Sequence, residues 1–420
     1  LNQIDELDVR APESAFFFKG KNVTIAEIGR KLKVESVLTG SIQKDGDILR
    51  VTAQLSKVEN ESKLWGNKYD QKMGDIFAIQ DDISEAIVRE MKGKLLKEEK
   101  TAISKSYREN EKAYSLYLLG INSKNINYKK RIEYLQQAID LDPKFALAYA
   151  ASARYLMSDY QWSKANEMIK KALEIDPNLS DVHWGLAYYK MLHDWDFTGA
   201  EKEFKTAIEL NPGNEKAHRG YAHYLRLMRR CDEALKEITI ARDYNPLYLE
   251  VYGEAIAINI IVNRYDDALA WFDNGMAVDP DNDYLYRHLG RMYRKQGNYD
   301  EAIRAFEKEH ISENKNINIA LTYAVKGDKI NGNAELKKML EIMEKSEERL
   351  YRSVGNEYGI SLCYIAMGEY DTALVWLEHG LKIHSPGLGM VLIYSDYEFD
   401  PLRSNPRFQA IIKNYYLMFL

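Results

Sequence analysis

The 420-residue sequence predicts a mainly α chain: a solenoid of about eight helix pairs with a capping helix, preceded by a small α+β domain with an antiparallel meander. Three observations predict it. The first is a set of five short stops, Leu141-Asp142-Pro143, Ile175-Asp176-Pro177, Leu210-Asn211-Pro212, Tyr244-Asn245-Pro246 and Val278-Asp279-Pro280, whose prolines stand 34, 35, 34 and 34 residues apart. A period held that closely marks stacked helical units. The second is that the residues before each proline repeat too: Ala165, Ala200, Ala234 and Ala268 twelve before, Leu135, Ile169, Phe204, Ile238 and Phe272 eight before, and Ala138, Ala172, Ala207, Ala241 and Gly275 five before. Small residues let two helices approach and bulky ones fill the seam, while Pro pushes its predecessor out of the α region and stops the second helix. The third is that the first hundred residues do not follow this period and alternate like strands instead.

In chain order, Asp8–Ala11 reads as a possible short strand. Thr24 with Glu27 three residues later is a capping box, and Ile25, Ile28 and Leu32 give the helix it starts an apolar stripe. Val34–Lys44 and Ile48–Val58 flank Lys44-Asp45-Gly46-Asp47, and Asp-Gly between two strand-like runs signals a hairpin. In the second run Leu49, Val51, Ala53 and Leu55 alternate with Arg50, Thr52, Gln54 and Ser56, which gives one buried face. Asn60-Glu61 turns into a third strand over Lys63–Lys72. A helix follows over Asp75–Glu99, with Ile76, Ile79, Ile83, Ile87, Val88, Met91 and Leu95 on one stripe.

The boundaries that follow are 1–100 for the α+β domain, 101–110 for a linker, 111–384 for the repeats and 385–420 for a C-terminal cap. Six helix pairs run over Glu111–His310. A seventh, over Asn316–Glu348, lacks a closing Pro, and Asn331-Gly332-Asn333 lengthens its turn. An eighth spans Val354–His384, and Arg407–Tyr416 forms the helix that covers the last seam, as solenoids need.

The third unit reads Trp184, Ala187, Tyr188, Met191, Ala200, Phe204, Ala207, Pro212, and the sixth Tyr286, Leu289, Gly290, Tyr293, Ala302, Phe306. This resembles the tetratricopeptide repeat, which implies a right-handed α-solenoid. A second resemblance rests on Phe18-Lys19-Gly20-Lys21-Asn22-Val23, Val37-Leu38-Thr39-Gly40-Ser41-Ile42, Val51-Thr52-Ala53-Gln54-Leu55, Leu64-Trp65, Tyr69-Asp70 and Asp75-Ile76-Phe77-Ala78-Ile79-Gln80-Asp81-Asp82-Ile83. These are similar to the TolB-like amino-terminal domain that precedes such repeats in bacterial signalling proteins. Asp194-Trp195-Asp196 with Ala200, Glu201, Glu203 and Phe204, and Phe399-Asp400-Pro401-Leu402-Arg403, extend that similarity to the combined family.

Members of that family begin the domain with a strand and helix that would precede Leu1, so an excerpt of a longer chain is expected, with an unpaired sheet edge near Val9. The resemblance implies an upstream cyclase, kinase or winged-helix module, sometimes with a membrane span between. None of their signatures occurs in this sequence.

No apolar run reaches the roughly 18 residues of a bilayer span. A net charge of −6, from 58 basic and 64 acidic residues, argues against a general nucleic-acid binder. Cys231 and Cys363 have no metal-ligand spacing, and the eight histidines form no HExxH. Asp81-Asp82 reads as a solvated helix face and His193-Asp194-Trp195-Asp196 as a turn between helices. No catalytic residue, metal or cofactor site is predicted.

The candidate binding surface is the concave groove, lined by the first helix of each pair at positions three or four apart. It comprises Lys216, Arg219, His223 and Arg226 in the fourth unit and Arg287, Arg291, Arg294 and Lys295 in the sixth, flanking a smoother rung of Gly253, Ala257 and Ile260. Such rungs suit an acidic or carboxylate-ending peptide held by charge-assisted bonds. The same residues also read as solvated helix faces. They depart from the carboxylate-clamp form of the repeat, which uses Lys and Asn at fixed places. The expected function is a non-enzymatic interaction scaffold, the docking or sensing part of a signalling protein; the alternative is an envelope component whose TolB-like domain binds another envelope protein or glycan.

Overall fold

Thr24 starts the first well-defined helix as a capping box requires. Glu27 N donates to Thr24 Oγ1 at 3.1 Å and Thr24 N donates to Glu27 Oε2 at 2.8 Å. The structure, a computed structural model, describes residues 7–45, 48–72, 76–93, 110–122, 127–309, 315–345, 356–382 and 397–417. The amino-terminal domain contains α1 (Pro12–Phe16), α2 (Ile25–Leu32), β1 (Ser36–Asp45), β2 (Ile48–Lys57), β3 (Lys63–Lys72) and α3 (Ile76–Lys92). The sheet is an antiparallel meander in the order β1-β2-β3, with Ser36 opposite Lys57 and a register shift between Leu55 and Ser56. Val51, Ala53 and Leu55 are buried on one face, and α3 brings in the buried Ile79, Ile87 and Val88.

Two expectations need correction or restriction. Residues 8–11 are not a strand. The Arg10 guanidinium donates to the carbonyls of Leu32 and Lys33, both at 2.9 Å, and Ala11 N donates to Tyr244 O at 2.9 Å. This segment therefore satisfies the end of α2 and a distant repeat turn instead of a sheet edge. The helix expected over Asp75–Glu99 stops at Lys92, where Gly93 turns at φ 71°; the Gly46-Asp47 turn, residues 94–99 and nearly all of the 101–110 linker lie outside the described residues.

Among the described residues the array shows eight helix pairs: α4 (Glu111–Asn122) with α5 (Tyr128–Leu141), α6 (Ala146–Ser158) with α7 (Trp162–Ile175), α8 (Ser180–Tyr189) with α9 (Phe197–Leu210), α10 (Glu215–Leu227) with α11 (Cys231–Tyr244), α12 (Leu249–Ile261) with α13 (Tyr265–Val278), α14 (Tyr286–Lys295) with α15 (Tyr299–Glu307), α16 (Lys315–Lys326) with α17 (Lys329–Lys345), and α18 (Asn356–Met367) with α19 (Tyr370–Lys382). A 3₁₀ turn over Tyr397–Leu402 and α20 (Pro406–Leu417) follow. Ala138, Ala172, Ala207 and Ala241 are fully buried in the seams. Gly275 takes that place in the fifth pair, where a Cβ would stand 2.4 Å from Leu285 Cδ1.

The stops between units work through their acidic or amide residue as well as their proline. Asp142, Asp176 and Asn211 each accept with side-chain Oδ1 from the backbone N–H two residues on, at 3.0, 3.0 and 3.1 Å. Such Asx turns reverse the chain while occupying a freed N–H. At the fourth stop the pattern changes. Asn245 Oδ1 instead accepts from Ser14 Oγ at 2.5 Å, so the amino-terminal domain docks on the repeat punctuation itself.

The single 35-residue interval coincides with an irregular helix. α8 ends in a π turn over Lys190–Asp194, and Trp195 follows in the left-handed region at φ 57°. A π turn accommodates one extra residue, which accounts for the lengthened period.

In the seventh pair the expected long turn at Asn331–Asn333 is absent. Gly327 makes the turn at φ 91°, and Asp328 accepts from Asn331 N at 3.2 Å, so those residues lie in the first turn of α17.

Successive pairs share overlapping cores. The last core joins distant parts of the chain, because Trp195, 1% exposed, belongs with Ile317, Leu336, Ile360, Phe399 and Phe408. The carboxy-terminal pairs and cap therefore meet the third pair.

Candidate functional site

The first helices α8, α10, α12 and α14 present successive rungs on the concave side. Lys216 Nζ lies 4.0 Å from Asp181 Oδ1 of the preceding rung. The Arg219 guanidinium sits 5.4 Å over the Tyr248 ring, and its Nε is buried with no hydrogen-bond partner. His223 Nδ1 is 3.2 Å from Glu254 Oε2, and Arg226 Nε donates to Glu254 Oε1. Arg287 Nε donates to Glu309 Oε1 at 2.8 Å. Arg294 Nη1 donates to Asn318 O at 3.3 Å, and Lys295 Nζ donates to the carbonyls of Ile260 and Ile261 at 2.7 and 3.1 Å. Arg291 makes no hydrogen bond or ion pair among the described residues, and, unlike Arg219, it is exposed.

The middle rung differs from the expected apolar one. Gly253 is buried, because Tyr284 and His288 of the next unit pack over it; a Cβ there would lie 2.8 Å from His288 Nε2. Ile260 is buried as well. Glu254 is the group on this rung that the flanking cations engage, and reading the sequence by analogous positions missed it. A signal existed: at a 34-residue pitch Glu254 stands one helical turn before the counterpart of His223, on the same face of the next first helix.

Electrostatics follow from this packing. Burial acts to raise the pKa of Glu254, but the Arg226 charge and His223 outweigh it and hold the carboxyl far below the usual carboxylate range. Burial, reinforced by Arg291 and Arg287, pushes His288 down to about 3, so its ring is neutral at pH 7. Burial, followed by the charges of Arg294, Arg287 and Arg226, lowers Arg291 to about 10, while Tyr358 of α18 acts in the opposite sense. Arg291 is exposed to solvent, and the charges of Arg294, Arg287 and Arg226 act on it from nearby.

Elsewhere, His193 and Asp194 lie in the π turn, with His193 stacked on Tyr189 at 4.7 Å. Asp81 and Asp82 lie on α3, and Cys231 and Cys363 are buried and not joined in a disulfide. Among the described residues no three His, Cys, Asp or Glu side chains converge as a metal set, and no helix is long and apolar enough to cross a membrane.

Models of the tetratricopeptide repeat match residues 115–145 and 262–315, within the first pair and across the fifth and sixth. The array is built of tetratricopeptide repeats. Such repeats form a protein–protein interaction scaffold and are generally non-catalytic.

Among curated proteins the chain is similar to "Putative adenylate cyclase 3" of Rhizobium meliloti (strain 1021), at 28% identity over 203 residues, covering 44% of this chain and 34% of the relative. The chain thus spans about a third of the length of the curated relative it matches. Among solved structures it is similar to a tetratricopeptide repeat protein from Parabacteroides merdae ATCC 43184 (14% identity, 59% of this chain and 97% of that one, TM-score 0.44). It is also similar to Pseudomonas aeruginosa pilF (18% identity, 49% and 95%, TM-score 0.38).

Proposed function

We propose that this chain is a non-enzymatic scaffold, the docking or sensing part of a larger signalling protein, whose concave groove takes an acidic peptide or protein segment. On this reading residues 1–100 are a TolB-like domain, 101–110 a linker, 111–384 the docking array and 385–420 its cap. The name of the adenylate cyclase relative fits a signalling parent. The observation that carries the groove reading is Arg291, an exposed guanidinium with no ion-pair partner among the described residues, acted on by the nearby charges of Arg226, Arg287 and Arg294. A concave, protein-walled site focuses the field of such charges and raises the local concentration of anions.

The test is selection of a displayed peptide library against the full chain at low and at moderate salt. Acidic sequences should be recovered, bind more weakly as salt rises, and be lost with Arg219→Glu and Arg291→Glu. Recovered peptides that bind both charge-reversal variants as well as the parent would remove the groove from the function.

A further inference from the structure

The cations of the groove are not equivalent once their partners are counted. Arg226 is committed to Glu254, and Arg287 to Glu309, whose side chain is almost wholly buried. Arg294 makes only neutral contacts, to the Asn318 carbonyl and, at 5.7 Å, to the face of Phe306. Arg291 makes none among the described residues. Arg291 and Arg294 are three apart on α14 and so share a face. Two guanidinium charges therefore stand together with no carboxylate partner among the described residues.

Their setting strengthens them. Tyr358 lies close enough to act on the Arg291 charge, and its helix packs into the carboxy-terminal core that also holds Trp195. Two like charges three residues apart on one helix face favour a doubly charged anion over a singly charged one. One carboxylate would balance one of the two guanidiniums. A phosphate monoester carries close to two negative charges at neutral pH and three acceptor oxygens, and the planar guanidinium fork matches those oxygens bidentately.

We infer that Arg291 and Arg294 form a receptor for a phosphate monoester carried on a side chain of the peptide in the groove, an inference that rests on the groove reading. Arg226 and Arg287 then serve as the wall, already neutralised by Glu254 and Glu309.

The experiment is fluorescence anisotropy of the full chain with three labelled peptide pools that differ only in a central phosphoserine, glutamate or serine. Free O-phosphoserine serves as competitor. The phosphoserine pool should bind about tenfold tighter than the glutamate pool, equivalent to about 1.4 kcal/mol. Arg291→Gln and Arg294→Gln should each erase most of that difference. Because Arg291 has no partner to lose, its variant should melt with the parent, which separates a lost ligand contact from a lost fold.

Equal binding of the phosphoserine and glutamate pools, both abolished by Arg291→Glu, overturns the phosphate inference and leaves the groove reading standing. Pools that bind and are indifferent to Arg291→Glu overturn both. Absence of binding by every pool overturns the phosphate inference. Free O-phosphoserine competing as well as the peptide overturns the peptide form of the proposal in favour of a small phosphorylated ligand.

Discussion

Glu201 on α9 collects four donors, from α9 itself, from α10 and from the residue that precedes α11. It accepts from Tyr221 Oη at 2.9 Å, Tyr224 Oη at 3.3 Å, Arg230 Nη1 at 2.7 Å and Lys205 Nζ at 2.9 Å. Burial acts to raise its pKa, but the bonds from Arg230, Lys205 and Tyr221 prevail and bring it down to about 2 from 4.5. A folded-state pKa below the unfolded one means that this stabilisation is complete above about pH 4.5 and is lost as the pH falls towards about 2. Glu201→Gln should lower stability at pH 7 by on the order of 1–2 kcal/mol, a figure reduced for solvent screening, and the two proteins should converge near pH 2. Urea midpoints measured across that range check it; identical midpoints at pH 7 would count against the network. Single residues were the least legible level of the sequence. Arg287, Arg291 and Arg294 look alike in one dimension, and what separates them is Glu309, Asn318 and Tyr358, 22 to 67 residues further along the chain.

Helix ends show how neighbouring units are joined. Asn214 caps α10 by accepting from Lys216 N and Ala217 N at 3.1 and 3.2 Å. Its Nδ2 donates to Ser180 Oγ at 2.8 Å, and Ser180 Oγ donates to Ala207 O at 2.7 Å. One amide thus ties the start of α8, the end of α9 and the start of α10. Asn214→Ala should cost about 1–3 kcal/mol, combining a lost cap with orphaned buried groups. Asn214→Asp keeps the acceptor and loses the donor, so its urea midpoint should fall between those of the parent and the alanine variant; the reverse order would contradict the dual role.

At this scale the sequence was most informative. The proline period, small-residue seams, capping box and three strands all express local rules, and each occurs where it was expected. The failures have physical reasons. Residues 8–11 look strand-like, but a helix end and a repeat turn satisfy their backbone. Asn331-Gly332-Asn333 looks like a loop, but Asp328 caps it into a helix. Gly253 looks like open groove, but lacking a side chain it lets the next helix pack onto it.

The closure between Trp195 and the carboxy-terminal core is a property of the whole molecule. Asp194-Trp195-Asp196 and Phe399-Asp400-Pro401 are separated by two hundred residues of sequence, and one core receives both aromatic rings. Trp195→Ala should cost about 3–5 kcal/mol, the range for emptying a large buried aromatic site. Hydrogen exchange should rise in residues 315–382 as well as in the third pair, and small-angle scattering should report a larger radius of gyration. Exchange confined to the third pair would mean that the two regions are not coupled. Phe399→Ala should act on the same junction, so its effect should not add fully to that of Trp195→Ala.

The same junction bears on time as well as on stability. In an open trough an occupant can lift away sideways, and its residence depends on the contacts along its length. On the groove reading proposed above, with the carboxy-terminal pairs fastened to Trp195, a guest held at Arg291 would leave by its own end or wait for that fastening to part. Its dwell would then follow the opening of an aromatic clasp more than twenty residues along the chain from the nearest groove cation, so grip and release would be tuned by different residues.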